Sequence, residues 1–315
     1  MSFFKRVQDK FAPKATEVKT GEVKSEMTLP SVEASAQTSA SEAPKGGALD
    51  RVKSLIAVGS GKGGVGKSTV SLNLALALQK QGKKVGLIDA DIYGPSQQHM
   101  TKAVRPTLLE GDLIEPSTYQ GIKLISVAMF SNSGQAQLLR GPMAAQVIRQ
   151  FLSQVAWGEL DYLIIDLPPG TGDIQLTLAQ IAPLSGAVLV TTPQEISLID
   201  VRKAVSMFQT LNVPILGVVE NMSYFICDQC DKKHYIFQQA GGKKLAAECG
   251  APLLAEIPID PRVAASSDAG EPIVVKQADS LVGRAFAQIA EKVVAQEQMQ
   301  RGTDGALGYF LLEWK

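Results

Sequence analysis

The sequence predicts an α/β fold in which a mostly parallel sheet carries helices on both faces, with a phosphate-binding loop at the end of its first strand. Three observations point there. Short apolar, β-rich runs (KSLIAVG, KVGLID, IKLISVA, DYLIIDL, GAVLVTT, VPILGVV) recur along the chain. Helical stretches separate them, as expected of strands buried on both faces and joined by crossovers. A glycine-rich run links the first strand to the first helix.

The elements follow in order. KSLIAVG is short and wholly apolar, so it reads as a buried strand. STVSLNLALALQKQ places Leu72, Ala75, Leu76 and Gln79 at helical spacing, and Gly82 is the stop. Further helices are expected in PMAAQVIRQFLSQVA, from Gln175 to Ile181, and in SLIDVRKAVSMFQTL. The economical division is a tail over 1–50, one α/β domain over 51–300 that includes a CxxC loop, and a C-terminal tail over 301–315. From Ala12 to Asp50 the chain is rich in Ser, Ala, Thr, Glu, Lys and Pro, too poor in apolar residues to offset its ordering entropy, and it reads as disordered. Before it, Phe3, Phe4, Val7 and Phe11 sit at helical spacing among Lys5, Arg6 and Lys10. That is either a short amphipathic anchor or a frayed terminus, the preferred reading for so short a helix.

Composition narrows the function classes. The 315 residues are 45% hydrophobic and 20% charged with a formal net charge of zero, so no global basic excess calls for nucleic acid. No run approaches the ~18 apolar residues of a membrane span, and the start lacks a secretory signal, so a cytoplasmic protein without stable membrane association is expected. Three cysteines are too few for a disulfide scaffold.

The run Gly61, Lys62, Gly63, Gly64, Val65, Gly66, Lys67, Ser68 fits the G-x-x-x-x-G-K-[ST] pattern and lies between a predicted strand and a predicted helix. The glycines let the backbone turn its N–H groups toward phosphate oxygens, and the helix start that includes Thr69 adds partial positive charge. Lys67 would reach the β- and γ-phosphates of ATP, and the Ser68 hydroxyl would ligate Mg²⁺. Lys62, inside the loop, is expected to contact phosphate of its own or a facing subunit. Asp91, just past the second strand, is a candidate to orient the attacking water. Asp89 and Asp166, each ending a predicted strand, are candidates for the metal's shell.

Cys227 and Cys230 form a C-x-x-C in YFICDQCDKKHYIF. The spacing lets both thiolates meet one metal centre, but a tetrahedral site needs twice that number of ligands. One solution adds His234 and Cys249 to make an internal zinc site. The other, favoured on ligand chemistry, shares a centre between two copies of the chain on a twofold axis.

The segments GSGKGGVGKST, LIDADIYGPS, RGPM, DYLIIDLPPGTGDIQLTLAQ, TTPQ and VVENMSYFICDQC closely resemble the Mrp (ApbC-like) family of iron–sulfur cluster carrier ATPases, relatives of MinD, ParA and the nitrogenase iron protein. The resemblance runs from about Ser54 to Glu291. It implies the deviant Walker-type P-loop fold, a homodimer, and ATP with Mg²⁺ as cofactors. Lys62 would be the signature lysine crossing the dimer interface. Asp91 would belong to the first switch, and Asp166 to Gly172 to the second. Asn221 would recognise adenine. Cys227 and Cys230 would hold a bridging [4Fe–4S] cluster, received from cluster-assembly donors and passed to apo iron–sulfur proteins. ATP hydrolysis would be slow, serving as a switch. Two departures stand out: the place of the folded N-terminal domain of many bacterial members holds only the low-complexity tail, and GALGYFLLEWK matches nothing in the family. The alternatives are a MinD- or ParA-like positioning ATPase that binds membrane or DNA, and a zinc-structured ATPase.

Overall fold

The structure, a computed structural model, describes residues 48–109, 113–130, 141–170 and 172–306. The aromatic–basic start, the low-complexity segment through residue 47 and the chain beyond 306 lie outside the described residues.

The strands are β1 (Val52–Ser60), β2 (Val85–Asp89), β3 (Thr107–Leu108), β4 (Ile114–Glu115), β5 (Ser117–Tyr119), β6 (Ile122–Ser126), β7 (Leu160–Asp166), β8 (Gly186–Thr191), β9 (Ile215–Glu220), β10 (Phe225–Ile226), β11 (Lys233–His234) and β12 (Leu253–Glu256). The helices are α1 (Lys67–Lys80), α2 (Gln97–Thr101), α3 (Gly141–Gln154), α4 (Asp173–Ile181), α5 (Glu195–Thr210), α6 (Gly241–Glu248), α7 (Pro261–Ala269), α8 (Ile273–Lys276) and α9 (Leu281–Ala306). Eight strands make one sheet in the order β12-β9-β8-β1-β7-β2-β6-β5. Every pairing is parallel except β5 with β6 at the edge. The predicted mostly parallel α/β sheet is therefore present.

The layers follow from strand alternation. Ile56, Val58, Tyr162, Ile164, Val188 and Val190 turn to one face and join the apolar residues of α1 with Val282, Phe286, Ile289 and Val293 of α9 in a continuous core. On the other face Gly59 lies against Phe208 of α5, and Gly86 against Trp157 after α3. β2 and β8 are buried along their whole length, which is why they read as unbroken apolar runs. Gly82, at φ 81°, closes α1 by returning its N–H to the Gln79 carbonyl, as its position in the sequence indicated.

The C-terminal third is built mostly of short elements. β12, α6, α7 and α8 are short, and α9 continues to Ala306, past residue 300. Among the described residues no helix is long and apolar enough to cross a membrane.

The topology places the site. β7 lies between β1 and β2, and the register sets Asp166 beside Val58 on one side and Asp89 on the other. The loops after β1, β2, β7, β8 and β9 consequently emerge along one edge of the sheet, where ligands bind in open α/β folds.

Candidate functional site: a phosphate loop joined to a cysteine hairpin

The loop from Gly61 to Gly66 has the backbone that a phosphate cradle needs. Gly64 and Gly66 adopt φ of 78° and 84°, conformations that favour glycine. A Cβ on Gly61 would lie 2.2 Å from the backbone of Asp200 and Val201 in α5, so that glycine allows the helix to close on the loop. A Cβ on Gly66 would lie 2.2 Å from Asn221 Nδ2. Val65 is buried and pins the loop's middle, while Gly63 and Gly64 are exposed.

Lys67 stands at the centre of a buried charge network. Its Nζ lies 2.6 Å from Asp166 Oδ1 and 3.8 Å from Asp91 Oδ2, and donates to Ser68 Oγ at 3.2 Å. The Ser71 hydroxyl is 2.9 Å from both Asp166 Oδ1 and the Lys67 carbonyl, and its single proton serves one at a time. Gln97 Nε2 donates to Asp166 Oδ2 at 2.9 Å and to the Ser68 carbonyl at 3.0 Å. Lys62 is half-buried, its carbonyl accepts from Ser60 Oγ at 3.0 Å, and its ammonium has no ion-pair partner among the described residues.

The three aspartates differ. Asp89 is fully buried, and its carboxylate accepts from the backbone N–H of Asp91, Ser96 and Gln97 and from the Ser126 hydroxyl. It ties down the loop that carries Asp91, so its oxygens are already used by protein donors. Burial and the neighbouring Asp166 charge push its carboxyl up to about 7 from the ordinary 3.8. Asp91 is raised too, by burial, against the opposing pull of Lys67 and the Gly94 N–H. Its Oδ2 faces Lys67, and it keeps slight exposure at the end of the sheet. Asp166 is fully buried and holds Lys67, Ser71 and Gln97 together.

Asn221 follows β9 and ties the loop to the rest of the site: its N–H donates to Thr191 and its Nδ2 to the Val65 carbonyl at 2.8 Å. Beside it opens a cavity of about 530 Å³, within the size range of small-molecule sites, whose wall includes Gly66, Thr69, Asn221, Met222, Phe237 and Pro258.

The cysteines sit six residues further on. Cys227 follows β10, its N–H donates to Lys232 and its carbonyl accepts from Asp231, so β10 and β11 form a small hairpin with the C-x-x-C at its tip. Cys227 is half-exposed and Cys230 exposed. Backbone N–H groups of Gln229 and Cys230, together with the Cys230 thiol, lower the Cys227 pKa and favour its thiolate. Phe225 bridges to Ile259, and Ile259 N–H donates to the Tyr224 carbonyl at 2.7 Å. A second cavity, about 390 Å³, lies against Cys227, and Pro258, Ile259 and Asp260 line both cavities.

The other zinc candidates lie elsewhere. Cys249 caps α6, with its Sγ 3.6 Å from the Ala246 carbonyl, and burial raises its pKa. His234 is exposed on β11. Among the described residues no group of three or more His, Cys, Asp or Glu is placed to hold a metal ion, so the internal zinc arrangement is not assembled.

Gln97 and the 257–259 segment were not singled out from the sequence. Neither carries a motif; Gln97 is one polar residue of GPSQQHM, and its relation to Asp166 depends on strand register.

Comparisons with known proteins agree with this architecture. The family model described as ParA, NUBPL iron-transfer P-loop NTPase, matches residues 51–294. An iron–sulfur cluster carrier protein of Aquifex aeolicus is 52% identical over 248 residues, covering 78% of this chain and 68% of its own. One from Haemophilus influenzae is 50% identical over 248 residues, 78% of this chain and 67% of its own. Among solved structures, a nucleotide-binding protein from Archaeoglobus fulgidus in complex with ADP superposes with a TM-score of 0.64 at 44% identity, covering 74% of this chain and 91% of that one.

Proposed function

This chain belongs to the family of NUBPL-type iron-transfer P-loop NTPases, and we infer that it is an ATP-hydrolysing carrier of iron–sulfur clusters, working as a homodimer that takes clusters from assembly donors and delivers them to apo-proteins. The observation that carries the reading is the strap from Asn221 to Cys227. One end donates to the phosphate loop at Val65, and the other is the first thiolate of the exposed pair.

Nucleotide chemistry falls to the buried network. Gly61–Ser68 cradles the phosphates with backbone N–H groups, and Lys67 exchanges Asp166 for the β- and γ-phosphate oxygens. Ser68 would hold Mg²⁺ through its hydroxyl, with Asp166 in the metal's shell. Asp91 orients the attacking water, while Asp89 keeps the Asp91 loop in place. Asn221 and Thr69 border the 530 Å³ cavity, which suits the adenosine end of ATP.

Cluster chemistry falls to the hairpin. Two thiols per chain supply half the ligands of a [4Fe–4S] cluster, so a second copy contributes its own Cys227 and Cys230. A two-copy assembly would also give the unpaired Lys62 ammonium a partner nucleotide. Ile196 and Ile199 are exposed on α5, the helix that closes on Gly61, and offer an apolar border to such a face. Movement of the phosphate loop on ATP binding or hydrolysis pulls on Asn221 and the 257–259 segment, altering how the cysteine pairs meet. The work belongs in the cytoplasm, where thiols stay reduced.

The test is anaerobic reconstitution with iron and sulfide. Wild type should develop a broad visible charge-transfer absorption with acid-labile sulfide, and Cys227→Ala should not. A Cys227→Ala protein that keeps the band would sink the assignment, and so would zinc without sulfide in the wild type.

A further inference from the structure

The side chain of Gln97 completes the phosphate-loop site. It opens α2 and is fully buried, and its backbone N–H is fixed by Asp89 Oδ2 at 3.1 Å. Its Nε2 lies 2.9 Å from Asp166 Oδ2 and 3.0 Å from the Ser68 carbonyl. Both neighbours are acceptors only, so the nitrogen must face them and the carboxamide's orientation is settled by chemistry. The opposite atom, Oε1, is buried and has no hydrogen-bond partner among the described residues.

A buried acceptor left unpaired is costly, so Oε1 calls for a donor that the described residues do not supply. The triphosphate of ATP presents acceptors alone. The donors of adenosine would occupy the cavity beside Asn221 and Met222, whose wall does not include Gln97. Water bound to magnesium is a strong donor, and Gln97 is tied to Ser68 and Asp166, the two residues read as facing that ion.

We propose that Gln97 is a positioning residue of the Mg–ATP site: its Nε2 holds Asp166 Oδ2 toward the metal, and its Oε1 accepts a hydrogen bond from a magnesium-bound water. The proposal rests on the reading of Gly61–Ser68 as the nucleotide cradle. It explains how Asp166 keeps its direction when Lys67 turns to phosphate. Oδ1 loses its cation, but Oδ2 stays bonded to Gln97.

The experiment compares binding of a fluorescent ATP analogue to wild type and Gln97→Met, in EDTA and in millimolar Mg²⁺. In EDTA the two proteins should bind alike. With Mg²⁺ the wild type should gain affinity, and the variant should lose about 10-fold of that gain, the usual scale for a residue that orients a metal's ligands. A variant that keeps the whole gain overturns the proposal, as does one that loses affinity equally in both buffers, the mark of a structural role. If wild type binds no nucleotide in either buffer, the cradle reading itself falls. A crystal structure of the wild type with Mg²⁺ and a non-hydrolysable analogue tests the same point without a substitution. A magnesium-bound water about 3 Å from Gln97 Oε1 supports the proposal, and an Oε1 paired with a protein donor overturns it.

Discussion

At the phosphate loop, Lys67, Asp89, Asp91 and Asp166 are all buried or nearly so, and each carboxylate is held by several donors. At the cysteine hairpin, six residues from Asn221, Cys230 is exposed and Cys227 half-exposed on two short strands. In the buried network every charge is felt strongly by its neighbours, so removing one disturbs all. At the hairpin the thiolate is favoured by two backbone N–H groups without burial, whereas burial drives the third cysteine, Cys249, the other way. A site that must hold a triphosphate in register gains from a low-dielectric, prearranged surround. A site that must give up its cargo gains from access and few competing contacts.

The comparison breaks most sharply at Lys67. Lys67→Ala should reduce ATP turnover by on the order of 10²–10³-fold and, because it leaves Asp166 buried without its cation, lower stability by about 3–5 kcal/mol. Full turnover in this variant would refute the phosphate-loop assignment.

Asp89 offers a graded version of the same contrast. Its folded pKa is raised to about 7 from 3.8, so the folded chain holds a proton that the unfolded chain releases. Stability from this source is complete below about 3.8 and is lost as pH rises through about 7. The wild type should therefore lose stability across that window with a slope of up to about 1.4 kcal/mol per pH unit, and Asp89→Asn should flatten it. Equal slopes in the two proteins would show that the burial of Asp89 carries no such linkage.

The smallest effect is expected at the hairpin. Cys227→Ala should leave the melting of cluster-free protein within about 0.5 kcal/mol of wild type, as for exposed substitutions generally, although it removes one of the two thiols proposed to hold the cluster. A large loss of stability there would mean that the hairpin is part of the folding core.

Much of this was legible in the sequence. Apolar runs such as GAVLVT and VGLID mark strands buried on both faces, and the loop pattern identifies a phosphate cradle by residue type alone. Gly82 stopped α1 where a glycine should. The short C-terminal elements were harder, because β12 has only four residues and its pairing with β9 is long-range. Gln97 carried no local signal at all.

The sequence by itself therefore determined which residue types stand at which strand ends: a glycine loop after β1, aspartates at the ends of β2 and β7, and a C-x-x-C after β9. Those follow from local chemistry, since phosphate needs free backbone N–H groups and metal needs thiolate. Tertiary structure alone decided how they are connected. Placing β7 between β1 and β2 sets Asp166 against Asp89 and Lys67, and the pairing of Phe225 with Ile259 fastens the hairpin to the wall of the 530 Å³ cavity beside Asn221. Such contacts depend on strand order and register, which long-range packing selects and no local spacing encodes.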